Sequence, residues 1–93
     1  MPFKKKWLSN EITSSEGYSV RFLDRATILY SEKQRIYVSA EMLAPKHSWT
    51  LYPKDMRVDS ERGKKLDDEE LRGLIVHRIR AVFDYFGWTL EIS

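Results

Sequence analysis

A chain of 93 residues is long enough to bury one modest hydrophobic core, so we expect a single domain spanning residues 1–93. The composition is 42% hydrophobic and 32% charged, as in globular proteins. The absence of cysteine excludes a disulfide scaffold, a thiolate metal site and a cysteine nucleophile, and it fits a reducing compartment such as the cytoplasm. Lys4, Lys5 and Lys6 are not followed by an apolar stretch, so we expect neither a secretory signal nor a membrane-spanning segment.

The charges are unevenly distributed along the chain. Residues 1–66 contain 13 Lys/Arg against 8 Asp/Glu, a balance of +5, whereas residues 67–93 contain 3 against 6, a balance of −3. An acidic first helical turn together with ordinary solvated lysines explains this division. The alternative is that the basic part of the chain contacts an anionic partner.

The first two thirds of the chain predict a series of strands. Residues 1–17 show no clear hydrophobic period, and we expect a loosely ordered N-terminal segment in which Trp7 and Leu8 pack against the core. The following residues either alternate apolar with polar side chains or are rich in strand formers, which predicts strands over residues 18–22, 26–30, 35–42 and 48–52. A loop is predicted over residues 43–47.

The last of these strands is expected to end at a proline. Pro53 lacks a backbone N–H and cannot donate to the ladder of a central strand. Residues 54–65 are polar and predict a connection, with a brief extended piece at residues 56–58.

The most regular pattern of the chain lies at residues 66–86. Its apolar residues recur with the helical period, at Leu71, Leu74, Ile75, Ile79, Val82, Phe83 and Phe86. Asp67 is expected to cap the helix, with Glu70 completing a capping box, and Gly87 supplies a residue that tolerates the left-handed conformation at the end. Residues 88–92 alternate again and predict a final strand.

These elements predict an α+β fold with the order β-β-β-β-α-β. We expect a four- to five-stranded, mainly antiparallel sheet with one long helix packed on one face. The predicted core consists of Val20, Phe22, Ile28, Ile36, Val38, Trp49, Leu51, Leu74, Ile75, Ile79, Val82, Phe83, Phe86 and Leu90.

No pattern in the chain indicates an enzyme. Nucleotide-binding, metalloprotease and serine-hydrolase motifs are missing, so we expect no catalytic residue, no cofactor and no metal site. His47 and His77 lie on different elements without a shared ligand spacing, and each is interpreted as a solvated side chain. The acidic run at residues 67–70 is explained by helix capping and the helix dipole.

Five residues are candidates for contact with a partner. Arg21, Arg35 and Tyr37 are expected on one sheet face with Tyr52 nearby, a cation-and-aromatic combination that binds proteins or single-stranded nucleic acid. Arg78 projects within the apolar arc of the helix, where it either extends to solvent, forms a structural ion pair or borders an anion site.

Several motifs occur along residues 18–92: a Y-x-V-x-F strand start, an R-I-x-V-x-x-E strand, a W-T-L-Y-P segment, an L-D-D-E-E helix start, R-I-R-A-V and F-G-W before L-E-I. The residues that carry these motifs are Arg35, Ile36, Val38, Glu41, Tyr52, 66–70, 78–82 and Gly87. Together the motifs resemble one of the small α+β immunity-protein families of bacterial polymorphic toxin systems. The resemblance implies a non-enzymatic cytoplasmic protein that binds and blocks one cognate toxin.

The sequence therefore predicts a small binding protein, immunity-like in its action, with a protein as its partner. The alternative is a nucleic-acid-binding module that uses the basic sheet face, although Glu41 interrupts that face. No membrane partner is expected. The protein is expected to be a monomer or, through an exposed sheet edge, a homodimer.

Overall fold

A computed structural model describes residues 2–6, 8–43 and 48–93 of the chain. These residues form seven strands and one helix: β1 (Phe3–Lys6), β2 (Glu11–Ser14), β3 (Ser19–Phe22), β4 (Thr27–Ser31), β5 (Arg35–Leu43), β6 (Ser48–Val58), α1 (Glu69–Phe86) and β7 (Thr89–Ile92). The strands form one sheet whose spatial order follows the chain from β1 to β7. All neighbouring strands are antiparallel except β6 and β7, which are parallel and connected through α1.

The predicted strand number is wrong. The described part of the chain contains a seven-stranded mixed sheet that is curled into a half-barrel, although the fold class remains α+β. The two additional strands, β1 and β2, come from residues 1–17, which the sequence indicated as loop. Each has only four residues, and β1 carries three lysines, so neither shows a hydrophobic pattern of its own. Hydrogen bonding to a neighbouring strand, which sequence period does not reveal, holds them in the sheet.

Strand β6 is longer than predicted because it passes through Pro53. Tyr52 pairs with Ser39 and Met56 pairs with Val38, so residues 53–55 form an irregularity without partners of their own on β5. A proline at this position removes no ladder hydrogen bond. The strand therefore resumes and continues to Val58.

The N-cap lies one residue later than predicted. Asp68, not Asp67, is the N-cap, and its side chain accepts a hydrogen bond from the backbone N–H of Leu71 at 3.1 Å. The predicted capping box of Asp67 and Glu70 is therefore wrong, since Glu70 lies one residue before the position that would close it. The predicted C-terminal end is confirmed: Gly87 has φ 73°, in the left-handed region.

The core lies between α1 and the face of the sheet that it covers, here called the inner face. Buried side chains of the helix are Ile75, Ile79, Val82 and Phe83. They pack with inner-face residues, among which Val20, Ile28, Ile36, Val38 and Leu51 are essentially inaccessible.

Two predictions about the core are wrong. Leu74 is 40% exposed because it lies at the margin of the helical stripe, and Leu8 is fully exposed. The structure adds to the core Phe3 and Ile12 from the N-terminal strands and Met56 from the extension of β6. Phe22 and Phe86 are only partly buried and pack against it. The predictions for Trp7 and the 43–47 loop with His47 lie outside the described residues, apart from Leu43, which ends β5.

Candidate functional site

Four of the five candidate residues lie on the outer face of the sheet, the face turned away from α1. Arg21, Arg35, Tyr37 and Tyr52 alternate along their strands with buried neighbours, as the pleat of a strand requires. Arg21 and Arg35 are exposed, and the two tyrosines are half-buried.

The outer face has an ordered row of side chains across its central strands. Arg21 on β3 pairs with Leu29 on β4, Leu29 pairs with Tyr37 on β5, and Tyr37 pairs with Arg57 on β6. Leu29 is only 9% exposed, although it lies on the outer face. From β3 to β6 this row therefore consists of an arginine, a leucine, a tyrosine and a second arginine.

Leu29 and Arg57 belong to this row but were not among the sequence-based candidates. Arg57 was assigned to a brief extended piece within a connection, and not to β6, because Pro53 was expected to end that strand. The apolar–polar–apolar order of Met56, Arg57 and Val58 was the available signal, since it continues the strand period beyond the irregularity.

Hydrogen bonds at the β5–β6 irregularity hold part of the outer face in place. The Ser39 hydroxyl donates to Asp55 Oδ2 at 2.5 Å, and Arg57 Nε donates to Asp55 Oδ1 at 3.0 Å. These hydrogen bonds, the serine bond first, lower the pKa of Asp55 below its ordinary value. Asp55 is therefore a fixed anion beside Arg57, and it orients the guanidinium.

The outer face carries charges of both signs. Its basic side chains among the described residues include Lys4, Lys6, Arg21, Arg35, Arg57 and Lys65, and its acidic ones include Glu11, Glu41, Asp55 and Glu91. Some of these groups neutralise each other directly, as Lys6 does with Glu11 at 3.6 Å. Basic side chains therefore outnumber acidic ones on this face, but side chains of both signs are interspersed across it.

Arg78 lies on the other side of the sheet and contacts the β4–β5 hairpin. Its Nη1 donates to the hydroxyl oxygen of Tyr30 at 2.5 Å and to Glu32 Oε1 at 2.8 Å. The Tyr30 hydroxyl donates in turn to Glu32 Oε1 at 3.0 Å, and the guanidinium carbon lies 4.6 Å from the ring centroid of Tyr18. Arg78 thus forms a partly buried ion pair with Glu32, and this pair connects α1 to the β4–β5 hairpin. The sheet itself separates Arg78 from the outer-face residues.

The electrostatics of this cluster follow from its contacts. Burial raises the pKa of Tyr30. Hydrogen bonds from Tyr30 and then Arg78 lower the pKa of Glu32, and hydrogen bonding to Tyr30 is the first cause that raises the pKa of Arg78. The ion pair of Arg78 and Glu32 is therefore charged at neutral pH.

Replacing Arg78 with leucine is expected to reduce the free energy of unfolding by about 1–2 kcal/mol. The buried Tyr30 hydroxyl loses a charged donor, and partial exposure of the ion pair to water limits the loss. The matched control is Arg72→Leu, because Arg72 is about as exposed as Arg78 but its partner Glu69, at 3.7 Å, is 88% exposed, so this pair is expected to contribute about 0.5 kcal/mol or less. Urea denaturation measures both variants. Equal stability of Arg78→Leu and the wild type would contradict the fastening role.

Acid is expected to weaken the fold through Glu32 and Asp55. Both carboxyls have folded-state pKa values below their ordinary values of 4.5 and 3.8, so their stabilisation is complete above those values and is lost as the pH falls through the lower folded values. A Glu32→Gln/Asp55→Asn double variant is therefore expected to lose less stability than the wild type between pH 5 and pH 2. Urea midpoints at each pH measure this difference, and parallel declines would contradict it.

The remaining titratable side chains that the structure describes do not come together in one site. His77 is exposed on α1, and among the described residues no three histidine or carboxylate groups come close enough together to hold a metal ion. The acidic side chains at residues 67–70 are exposed around the helix N-terminus. Asp68 caps the helix, and Glu69 forms an exposed ion pair with Arg72 at 3.7 Å.

No protein-family model, curated protein or solved structure matches the chain. Within the described residues, α1 is too polar to cross a lipid bilayer and no other helix is present that would do so.

Proposed function

We propose that this chain is a small, non-enzymatic, cytoplasmic binding protein that contacts one protein partner through the outer face of its sheet. In this proposal it acts as an immunity protein does, by covering the working surface of a bacterial toxin. The observation that carries the proposal is the placement of Arg21, Arg35, Tyr37 and Tyr52 together on that face.

The chemistry of the outer face suits a protein surface. Tyrosine and arginine are enriched in protein interfaces because each offers a large contact area together with hydrogen-bond donors. Tyr37 is central, with the buried Leu29 on one side of it in register and Arg57 on the other. Fixing these side chains on paired strands lowers the entropy lost on binding.

The mixture of charges favours protein over nucleic acid. A phosphate backbone would meet Asp55 beside Arg57 and Glu41 beside Tyr52, and each carboxylate would repel it. A protein partner can place complementary charges opposite both signs, which also selects against wrong partners. The edge strands β1 and β7 lie at the margins of the sheet, so a homodimer formed through an edge would leave the central outer face available.

Capture from a lysate of the native host at two salt concentrations tests the proposal. The tagged protein is expected to retain one stoichiometric protein in both 0.1 M and 1 M salt, because a packed interface depends less on ionic strength than phosphate contacts do. Mass spectrometry identifies the retained protein. Recovery of nucleic acid alone, lost at 1 M salt, would contradict the proposal and favour the alternative of nucleic-acid binding.

A further inference from the structure

A cavity of about 250 Å³ opens on the outer face beside the irregularity of β6. Residues 53–55 leave the β5–β6 ladder at this point. The volume lies below the roughly 300 Å³ at which small-molecule sites usually begin, so the cavity suits one inserted side chain better than a separate small molecule. Its lining includes Tyr37, Asp55, Arg57 and Glu61.

Tyr37 gives the cavity an aromatic wall. The residue is half-buried, and its register partners are Leu29 on one side and Arg57 on the other. Within the described residues, its hydroxyl forms no hydrogen bond and its ring contacts no other ring or cation. A tyrosine ring attracts a cation placed over its face, and in proteins this cation is most often an arginine.

The two carboxylates of the cavity differ in their surroundings. Hydrogen bonds from Ser39 and then Arg57, together with the positive charges of Arg57 and of Lys65 outside the lining, lower the pKa of Asp55. Glu61 is exposed and forms no hydrogen bond or ion pair with another residue that the structure describes. Glu61 is therefore the carboxylate that can bind an incoming cation.

Backbone hydrogen bonds hold the turn that carries Glu61. The N–H of Gly63 donates to the carbonyl oxygen of Ser60 at 3.0 Å. The N–H of Val58 donates to the carbonyl oxygen of Lys64 at 2.9 Å, which closes the turn at its base. Glu61 is consequently positioned beside the cavity before any partner arrives, so binding there costs little ordering of the chain.

We propose that this cavity receives an arginine side chain of the protein partner. The guanidinium group lies over the ring of Tyr37 and donates hydrogen bonds to the carboxylate of Glu61. Arginine fits better than lysine because its planar group can stack on a ring and bind a carboxylate through two parallel hydrogen bonds. Within the lining, the two carboxylates also outnumber the one cation, Arg57. This inference rests on the proposed function, since the cavity is part of the outer face.

Three blocked amino acids test the cavity in the intact chain without the partner. N-acetyl-arginine-N-methylamide is the cation, the corresponding citrulline compound has nearly the same shape without the charge, and the glutamate compound is an anion. Titrations followed by the NMR signals of the backbone amides of Tyr37, Ser39 and Glu61 measure binding. The arginine compound is expected to bind about tenfold more tightly than the citrulline compound, with the glutamate compound weakest.

Two matched variants locate this preference. Glu61→Gln is expected to reduce the preference for arginine about fivefold, whereas Glu70→Gln at an exposed position of α1 changes the net charge equally and is expected to preserve it. The inference is overturned if no compound shifts these signals, if arginine and citrulline bind equally, if glutamate binds most tightly, or if the full preference survives Glu61→Gln. Each of these results would leave the binding of a protein by the outer face standing, because capture from a lysate tests that separately.

Discussion

Replacing Phe83 with alanine is expected to reduce the free energy of unfolding by about 3–5 kcal/mol. Phe83 is fully buried on α1, and its ring lies 5.9 Å from Phe22 and 5.7 Å from Trp88 between centroids. The substitution removes the central aromatic contact between the helix and the sheet, and neighbouring rings held by their own contacts can close the cavity only in part. Urea denaturation with an unchanged slope gives the loss directly.

Leu74→Ala is the matched control for this loss. Leu74 lies on the same helix and within the predicted hydrophobic stripe, but it is 40% exposed. Its truncation is expected to change the free energy of unfolding by about 0.5 kcal/mol or less. Similar losses for the two variants would mean that the helix is rotated relative to the orientation described above.

Replacing Gly63 with alanine is the second large effect, expected to cost about 1–3 kcal/mol. A Cβ atom on Gly63 would overlap the carbonyl oxygen of Val58, and it would also press on the carbonyl oxygen of Ser60. Both obstacles are backbone atoms at the end of β6, where Val58 N donates to Lys64 O at 2.9 Å, so the turn has to open to admit a methyl group. Thermal or urea denaturation measures the cost.

Gly73→Ala is expected to have the opposite sign. Gly73 lies within α1, is exposed, and has no atom within 4 Å of the position of an added Cβ. Alanine there is expected to stabilise the protein by about 0.5–1 kcal/mol, because it restricts the unfolded chain and favours the helix. A neutral Gly63→Ala together with a stabilising Gly73→Ala would contradict the close approach described for the β6 turn.

The helix and the central strands could be predicted because their own side chains carry the signal. The helical period placed Ile75, Ile79, Val82 and Phe83 in the core, and all four are buried. Leu74 belongs to the same pattern, but the prediction that it is buried was wrong because a helix packed on one sheet buries only a limited arc of its surface. The hydrophobic period shows which side of the helix faces the sheet, but it does not show how wide the buried side is.

The N-terminal strands could not be predicted from local pattern, and the extension of β6 was predicted only as a brief extended piece at residues 56–58. In β1 the register partner of Phe3 is Ser14 and that of Lys5 is Ile12, so the burial of this strand depends on its neighbour. The obstacle in β6 was Pro53, whose effect on a strand depends on whether the partner strand offers a carbonyl at that point. In both cases the residues that decide the structure belong to the partner strand.

The candidate site was predictable on the sheet and not on the helix. Alternation along β3 and β5 was sufficient to put Arg21, Arg35 and Tyr37 on one face. The partners of Arg78 are 48 and 46 residues away in the chain, and no local spacing connects it with Tyr30 and Glu32.

The measurement that tests the central claim most directly is capture of the protein partner by matched surface variants. An Arg35→Ala/Tyr37→Ala variant removes two side chains of the outer face, and His77→Ala/Arg80→Ala removes two exposed side chains of α1. We expect the first variant to retain at least about tenfold less partner than the wild type, and the second to retain as much, when both are as stable as the wild type. Undiminished capture by the outer-face variant would contradict the account.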